Sequence, residues 1–298
     1  MPLAPPAREA AASNRCRLSR PAPLQATRLV LNEHSIGVFD SGMGGLSVLR
    51  SLRDALPHED FIYIADSGHA PYGERPDSYV VARARAITGY LTQHHHIKAL
   101  VIACNTATAA AIEQLRQDHP GLPIIGVEPG LKPAAKASTT HRIGVLATRS
   151  TLASAKYATL LASLQGQAEF VTQACDGLAL AIEHQDTPKI IALCAHYISQ
   201  MGPFGTKPGQ VDTLVLGCTH YAFAEHHLRA LVGPEVHILD TGGPIARRAH
   251  QLLASQLSDR QSKGHCRFET SGSTALLQAA VQRWLQLPGP IAALRELT

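Results

Sequence analysis

The chain has 298 residues, 45% hydrophobic and 17% charged, enough apolar material for two domains of ordinary size, and no apolar run approaches the roughly 20 residues that span a bilayer. Its formal charge of +4 lies wholly in residues 1–30, where Arg8, Arg15, Arg17, Arg20 and Arg28 face one acid, Glu9. The remainder is neutral, so the basic footprint of a dedicated nucleic-acid binder is missing and no direct nucleic-acid or membrane partner is expected.

Residues 1–34 are rich in Pro, Ala and Arg without apolar periodicity, and read as a disordered N-terminal extension. Such an Arg-rich, acid-poor leader resembles an organellar transit peptide, but its clustered prolines oppose the amphipathic helix a transit peptide needs; a start site placed too far upstream is an equal account. From Ile36 onward, short apolar runs alternate with helix-period segments, the pattern of βαβ units on a parallel sheet. A strand is expected at 36–40, then a helix at 46–56 with apolar residues at 46, 49, 52 and 56. Strand 60–65, helix 79–92, strand 99–103, helix 107–117 and strand 123–127 follow. A second series runs through strand 142–146, helices 152–164 and 188–201, strand 213–216, helix 224–232 and strand 236–239. Helix 244–257, strand 266–270 and helix 274–285 complete the chain.

Two phrases recur in the two halves. Ile36-Gly37-Val38-Phe39-Asp40-Ser41 is echoed by Ile143-Gly144-Val145-Leu146-Ala147-Thr148, and Leu100-Val101-Ile102-Ala103-Cys104-Asn105-Thr106 by Leu214-Val215-Leu216-Gly217-Cys218-Thr219-His220. The fold class that follows is α/β, with two pseudo-symmetric parallel-sheet domains and the active site in the cleft between them. Ligands of such sheets bind beyond the carboxyl ends of the strands, where Asp40, Cys104 and Cys218 would sit.

A free cysteine is usually a small buried hydrophobe. Two at equivalent strand ends of a repeat, each followed by polar residues and a helix start, point instead to chemistry. Cys194-Ala195-His196-Tyr197 imitates the second phrase but falls inside a helix, where residues i and i+2 point to opposite sides, so Cys194 reads as packing. The six cysteines (16, 104, 175, 194, 218, 266) lack the close spacing of a disulfide framework in a chain that needs no staples, so reduced thiols in a cytoplasm are expected. Zinc is disfavoured because the two Cys-x-His pairs lack metal-ligand spacing and the tract His94–His96 closes a helix expected to face solvent. The turn Gly42-Met43-Gly44-Gly45 is no nucleotide loop, since Ser47 takes the third glycine position and no Lys-Ser/Thr follows; it reads as a tight turn that lets substrate approach backbone. Asp40 suits a helix N-cap, a partner for a thiol or a holder of an ammonium group; His220 titrates near neutrality and suits assistance to Cys218.

At this point the residues resemble the glutamate racemase family of the aspartate/glutamate racemase superfamily. The resemblance is carried in order by residues 36–48, Ala65-Asp66-Ser67 with Pro71-Tyr72-Gly73, residues 103–107, Gly126-Val127-Glu128-Pro129, and Gly217-Cys218-Thr219-His220-Tyr221. It implies a first α/β domain of residues 35–130 plus 238–298 and a second of 131–237, with glutamate enclosed between them. It further implies Cys104 and Cys218 as the two proton donor/acceptors, Asp40 as helper of Cys104, His220 as helper of Cys218, and Glu183 as a further acid. Ser41, Tyr72, Gly73, Asn105, Thr106 and Thr219, with Asp40 and His220, resemble the substrate-binding positions. No cofactor and no metal are implied, and the product D-glutamate would feed peptidoglycan synthesis and the cell wall. A homodimer and activation by a cell-wall precursor are further expectations of this reading.

The chemistry explains the set. Removing a Cα proton builds charge toward the carboxylate, which donors at Asn105, Thr106 and Thr219 would stabilise. Inversion then needs a base on one face and an acid on the other. An ordinary thiol is mostly protonated at neutral pH, hence the neighbours Asp40 and His220. A racemase for aspartate on the same scaffold is the near rival. A one-cysteine decarboxylase is disfavoured by the presence of both thiols, and a regulatory protein acting on a DNA enzyme by the complete acid/base set.

Overall fold

A computed structural model of the protein describes Met1 and residues 34–294. The expected extension, apart from Met1 and His34, lies outside the described residues. Strands β1 (Ile36–Asp40), β2 (Phe61–Ala65) and β3 (Ala99–Ile102) are buried at every position, because a parallel sheet covered on both faces has no solvent side. With β4 (Ile124–Gly126), β9 (Cys266–Thr270) and β10 (Ile291–Ala293) they form a parallel sheet in the order β10-β9-β2-β1-β3-β4. The second sheet, also parallel, has the order β6-β5-β7-β8, from β5 (Arg142–Ala147), β6 (Glu169–Ala174), β7 (Thr213–Gly217) and β8 (His237–Leu239).

The run β2-β1-β3-β4 and the whole second sheet are the same pattern, so the sequence repeat is a topological repeat, and the C-terminal segment adds β9 and β10 to the first copy. In each sheet the chain leaves the first strand in one direction and later returns on its other side. The two switch points therefore lie between β1 and β3 and between β5 and β7, where a crevice opens at the carboxyl ends. Asp40 and Cys104 border one, Thr148 and Cys218 the other.

Helix α1 (Leu46–Ala55) and helices α2 (Asp77–His95) and α3 (Asn105–Asp118) pack on the first sheet, as their apolar spacing predicts. Helices α4 (Leu131–Ala137), α5 (Arg149–Ala153), α6 (Ala155–Ala162), α7 (Leu178–Glu183), α8 (Thr187–Ser199) and α9 (Glu225–Val232) belong to the second half. Helices α10 (Gly242–Leu253) and α11 (Thr274–Leu285) return to the first, where α10 lies against α1. One continuous apolar cluster runs from Val38, Val101 and Leu49 to Leu214, Leu216 and Ile182, joining the two halves below the crevices. Among the described residues no helix is long and apolar enough to cross a membrane.

Several expectations are corrected. Strand β6 was absent from the sequence pattern because it is an edge strand with no fully buried residue, and α4 and α7 are too short for periodicity to register. The single helix expected over 152–164 is two, broken at Ser154, whose extended backbone ends α5 while its hydroxyl accepts from Tyr157 N to cap α6. Ile238 and Leu239, assigned to the first domain, pair with Leu214 and Val215 in the second sheet. The tract His94–His96 does not uniformly face solvent: His95 turns inward, 3.2 Å from the buried carboxylate of Glu269.

Lys98, just before β3, is almost fully buried. Its Nζ lies 2.6 Å from Glu59 Oε2 and donates to Gln256 O at 2.8 Å, tying the first sheet to the segment after α10. Removing one partner leaves the other charge buried without its counter-ion, so Lys98→Met should lower stability by about 3–5 kcal/mol. A urea midpoint unchanged from the parent would contradict that assignment.

Candidate active site

The first wall of the site grows from β1 and β3. Asp40, the last residue of β1, is completely buried; its Oδ1 accepts from Gly42 N at 2.8 Å and its Oδ2 from Thr219 Oγ1 of the second half at 3.0 Å. It does not cap α1, whose N-cap is Gly45. Burial raises its pKa to about 6, against the lowering influence of the His220 charge. Cys104 follows β3 and occupies the N-cap of α3, its Sγ accepting from Ala107 N at 3.4 Å and donating to Ser41 Oγ at 3.7 Å. Burial, then the charge of Asp40, push this thiol up to about 12, so it rests as S–H.

The second wall grows from β7 and α7. Cys218 follows β7, and its Sγ stands 3.9 Å from His220 Nδ1 in the turn Thr219–Ala224. The other ring nitrogen, Nε2, lies 2.8 Å from Glu183 Oε2. Burial works against a charge on His220, yet contacts with Cys218 and Glu183 and the field of Asp40 hold its pKa well above the ordinary value. Glu183 is held below the usual carboxylate range: burial opposes ionisation, but His220, Ser67 Oγ at 2.5 Å and Met43 N at 2.9 Å all favour the anion. The resulting chain is sulfur, imidazolium, carboxylate.

The glycine turn after β1 has a purpose other than the expected one. A Cβ at Gly44 would fall 2.2 Å from His220 Nδ1, and one at Gly42 would fall 2.3 Å from Glu183 Oε2. What approaches this backbone is the acid/base pair of the opposite domain.

Residues 36–249 match the model of the family described as Asp/Glu/Hydantoin racemase. The chain belongs to that family. It is 51% identical over 231 residues to the glutamate racemase of Cupriavidus pinatubonensis strain JMP 134, covering 76% of this chain and 82% of that one. Among solved structures it resembles glutamate racemase isoform RacE1 from Bacillus anthracis, with TM-score 0.78, 32% identity and coverage of 89% of this chain and 98% of that one. It also resembles Escherichia coli glutamate racemase in complex with L-glutamate and the activator UDP-MurNAc-ala, with TM-score 0.74, 26% identity and coverage of 88% and 98%. Its activity is that of an isomerase interconverting L- and D-glutamate.

In this racemase both cysteines open on one cleft of about 590 Å³, its mouth included, lined also by Ser41, Tyr72, Gly73, Asn105 and Thr106 of the first half and by Thr219, His220 and Glu183 of the second. Asp40 does not line it, lying one layer behind Ser41. The Tyr72 phenol donates to Asp66 Oδ2 at 2.5 Å, so its hydroxyl proton is spent there and the residue contributes a wall. Both polar atoms of the buried Asn105 amide lack a protein partner, as suits a side chain that awaits a ligand. Cys194 lies in the core of α8, with His196 exposed on its other side. Among the described residues no group of three or more His, Cys, Asp or Glu side chains is arranged to hold a metal ion.

Sequence reasoning missed Thr148, whose hydroxyl lies 3.1 Å from that of Thr106, although the repeat had already set it opposite Ser41. It also missed Cys175, which lines the cleft, and the ion pair of Arg149 with Asp176 at its mouth; no periodic or motif signal marks these three.

Asp40 gives a signed pH effect. A carboxyl whose folded pKa is raised weakens the fold as it ionises: stability is full below its unfolded pKa of 3.8 and is lost as pH rises through about 6. Asp40→Asn should therefore gain up to about 3 kcal/mol at pH 8 relative to its own difference from the parent below pH 4. Urea unfolding at both pH values checks this; a constant difference would refute it.

Proposed function

We propose that this racemase inverts glutamate by a two-base transfer in which Cys104 and Cys218 work on opposite faces of Cα, without a cofactor. The observation that carries the proposal is the asymmetry of the two thiols within one cleft: Cys104 buried as S–H beside Ser41, Cys218 beside a protonated imidazole. In one direction the Cys218 thiolate, stabilised by His220, removes the Cα proton. The electron pair moves toward the substrate carboxylate, where the Asn105 amide and the start of α3 favour the growing charge. Cys104 S–H then delivers its proton to the other face, leaving Cys104 as the thiolate and Cys218 as the thiol.

The reverse direction begins from that second state. Its difficulty is the Cys104 thiolate, which burial and the Asp40 charge both disfavour. Because Asp40 takes up a proton near pH 6, neutralisation of its carboxyl removes the second obstacle, and this is the help it gives Cys104. His220 and Glu183 serve Cys218, while Ser41, Tyr72, Gly73, Thr106 and Thr219 shape and hold the substrate.

The domains of this reading are residues 35–130 with 240–298, and 131–239. The likeness to the E. coli enzyme solved with UDP-MurNAc-ala supports activation by a cell-wall precursor, and the product fits peptidoglycan synthesis in a cytoplasm that keeps both thiols reduced. In a polarimetric assay without pyridoxal phosphate, either glutamate enantiomer should racemise and neither aspartate should do so at a comparable rate. Cys104→Ala and Cys218→Ala should each cut turnover by about 100- to 10,000-fold. Substantial turnover by either variant would contradict the assigned roles.

A further inference from the structure

We propose that Ser67 is a positioning residue for the reaction, acting from the first domain through Glu183 to keep His220 protonated beside Cys218. The inference rests on the reading of Cys218 and His220 as one acid/base unit. Glu183 is the last residue of α7, a helix of only six residues, and its carboxylate is shared unequally between the domains. Oε2 meets His220 Nε2 at 2.8 Å and accepts from Met43 N at 2.9 Å; Oε1 accepts from Ser67 Oγ at 2.5 Å. Ser67 stands on the first turn after β2, on the opposite sheet from α7, and does not line the substrate cleft.

The Ser67 contact fixes how the carboxylate is turned. With Oε1 anchored, Oε2 is aimed at the imidazole; with Oε1 released, rotation about the last side-chain bond weakens that approach. Retreat is blocked on one side, since Gly42 lies so close that even a Cβ there would sit 2.3 Å from Oε2. Both anchors, Ser67 Oγ and Met43 N, come from the first domain, so the carboxylate partner of His220 is complete only when the two domains are together. Ser67 thereby ties the first domain to the proton on His220.

The titratable groups that interact with this pair are Asp40, Cys218 and the neutral Tyr63 phenol, and Ser67→Ala alters none of them. The sign follows from the carboxylate: a weaker partner lowers the imidazole pKa, so the alkaline limb of activity, where His220 loses its proton, moves to lower pH. The test is the pH profile of kcat/KM, with kcat and KM read separately, for the parent, Ser67→Ala and Glu183→Gln. In Ser67→Ala the limb should move down by about half a pH unit or more, with kcat lowered several-fold above pH 8 and KM changed less than about two-fold, because the hydroxyl touches no substrate. Glu183→Gln should move the limb further in the same direction. A limb that moves in Glu183→Gln but stays in place in Ser67→Ala overturns the role of Ser67 alone. A limb that stays in place in both overturns the His220 reading beneath it.

Discussion

Two sulfurs that serve one carbon from opposite faces must hold opposite protonation states. A cleft formed by duplicated halves would, left to symmetry, give two identical thiols. The structure separates them by their neighbours. Cys104 has a backbone N–H, a serine hydroxyl and a carboxylate behind it, and is held as the acid. Cys218 has an imidazole whose proton is secured by a buried carboxylate. Topology is repeated, and electrostatics is not.

The rest of the fold serves that arrangement. Matching strand orders bring two switch-point crevices face to face, so each thiol arrives on a rigid strand end rather than a loop. The contacts that complete the site cross between the halves: Asp40 receives Thr219, and Glu183 receives Ser67 and Met43. The glycines at 42 and 44 let these approaches happen at backbone distance. A continuous apolar cluster beneath the crevices holds the halves together while the polar groups meet above it.

Much of this was legible in the sequence, and the limits have physical causes. The buried strands β1, β3, β5 and β7 announce themselves as apolar runs, and their repetition with cysteines in register gave the duplicated architecture and the principal site residues. Asp40 ends such a strand, Cys104, Cys218 and His220 follow one, and all four are legible by position. Edge strand β6 has a solvent side and few apolar residues, so its pattern is silent. Glu183 was found by resemblance, but its contacts with Ser67 and Met43 join residues far apart in the chain, and no local spacing encodes such a meeting. The glycine turn was recognised as a close approach while its occupant was misread as substrate, because which domain leans on it is a tertiary fact. The Tyr72 phenol, spent on Asp66, is another case of a motif residue whose polar atom is used elsewhere.

A crystal structure with glutamate bound tests the central claim most directly. The account predicts the Cys104 and Cys218 sulfurs on opposite sides of Cα, each within roughly 4 Å of it, with the α-carboxylate on the Asn105 amide. Both sulfurs on the same side of Cα, or either one out of reach of it, would contradict the account.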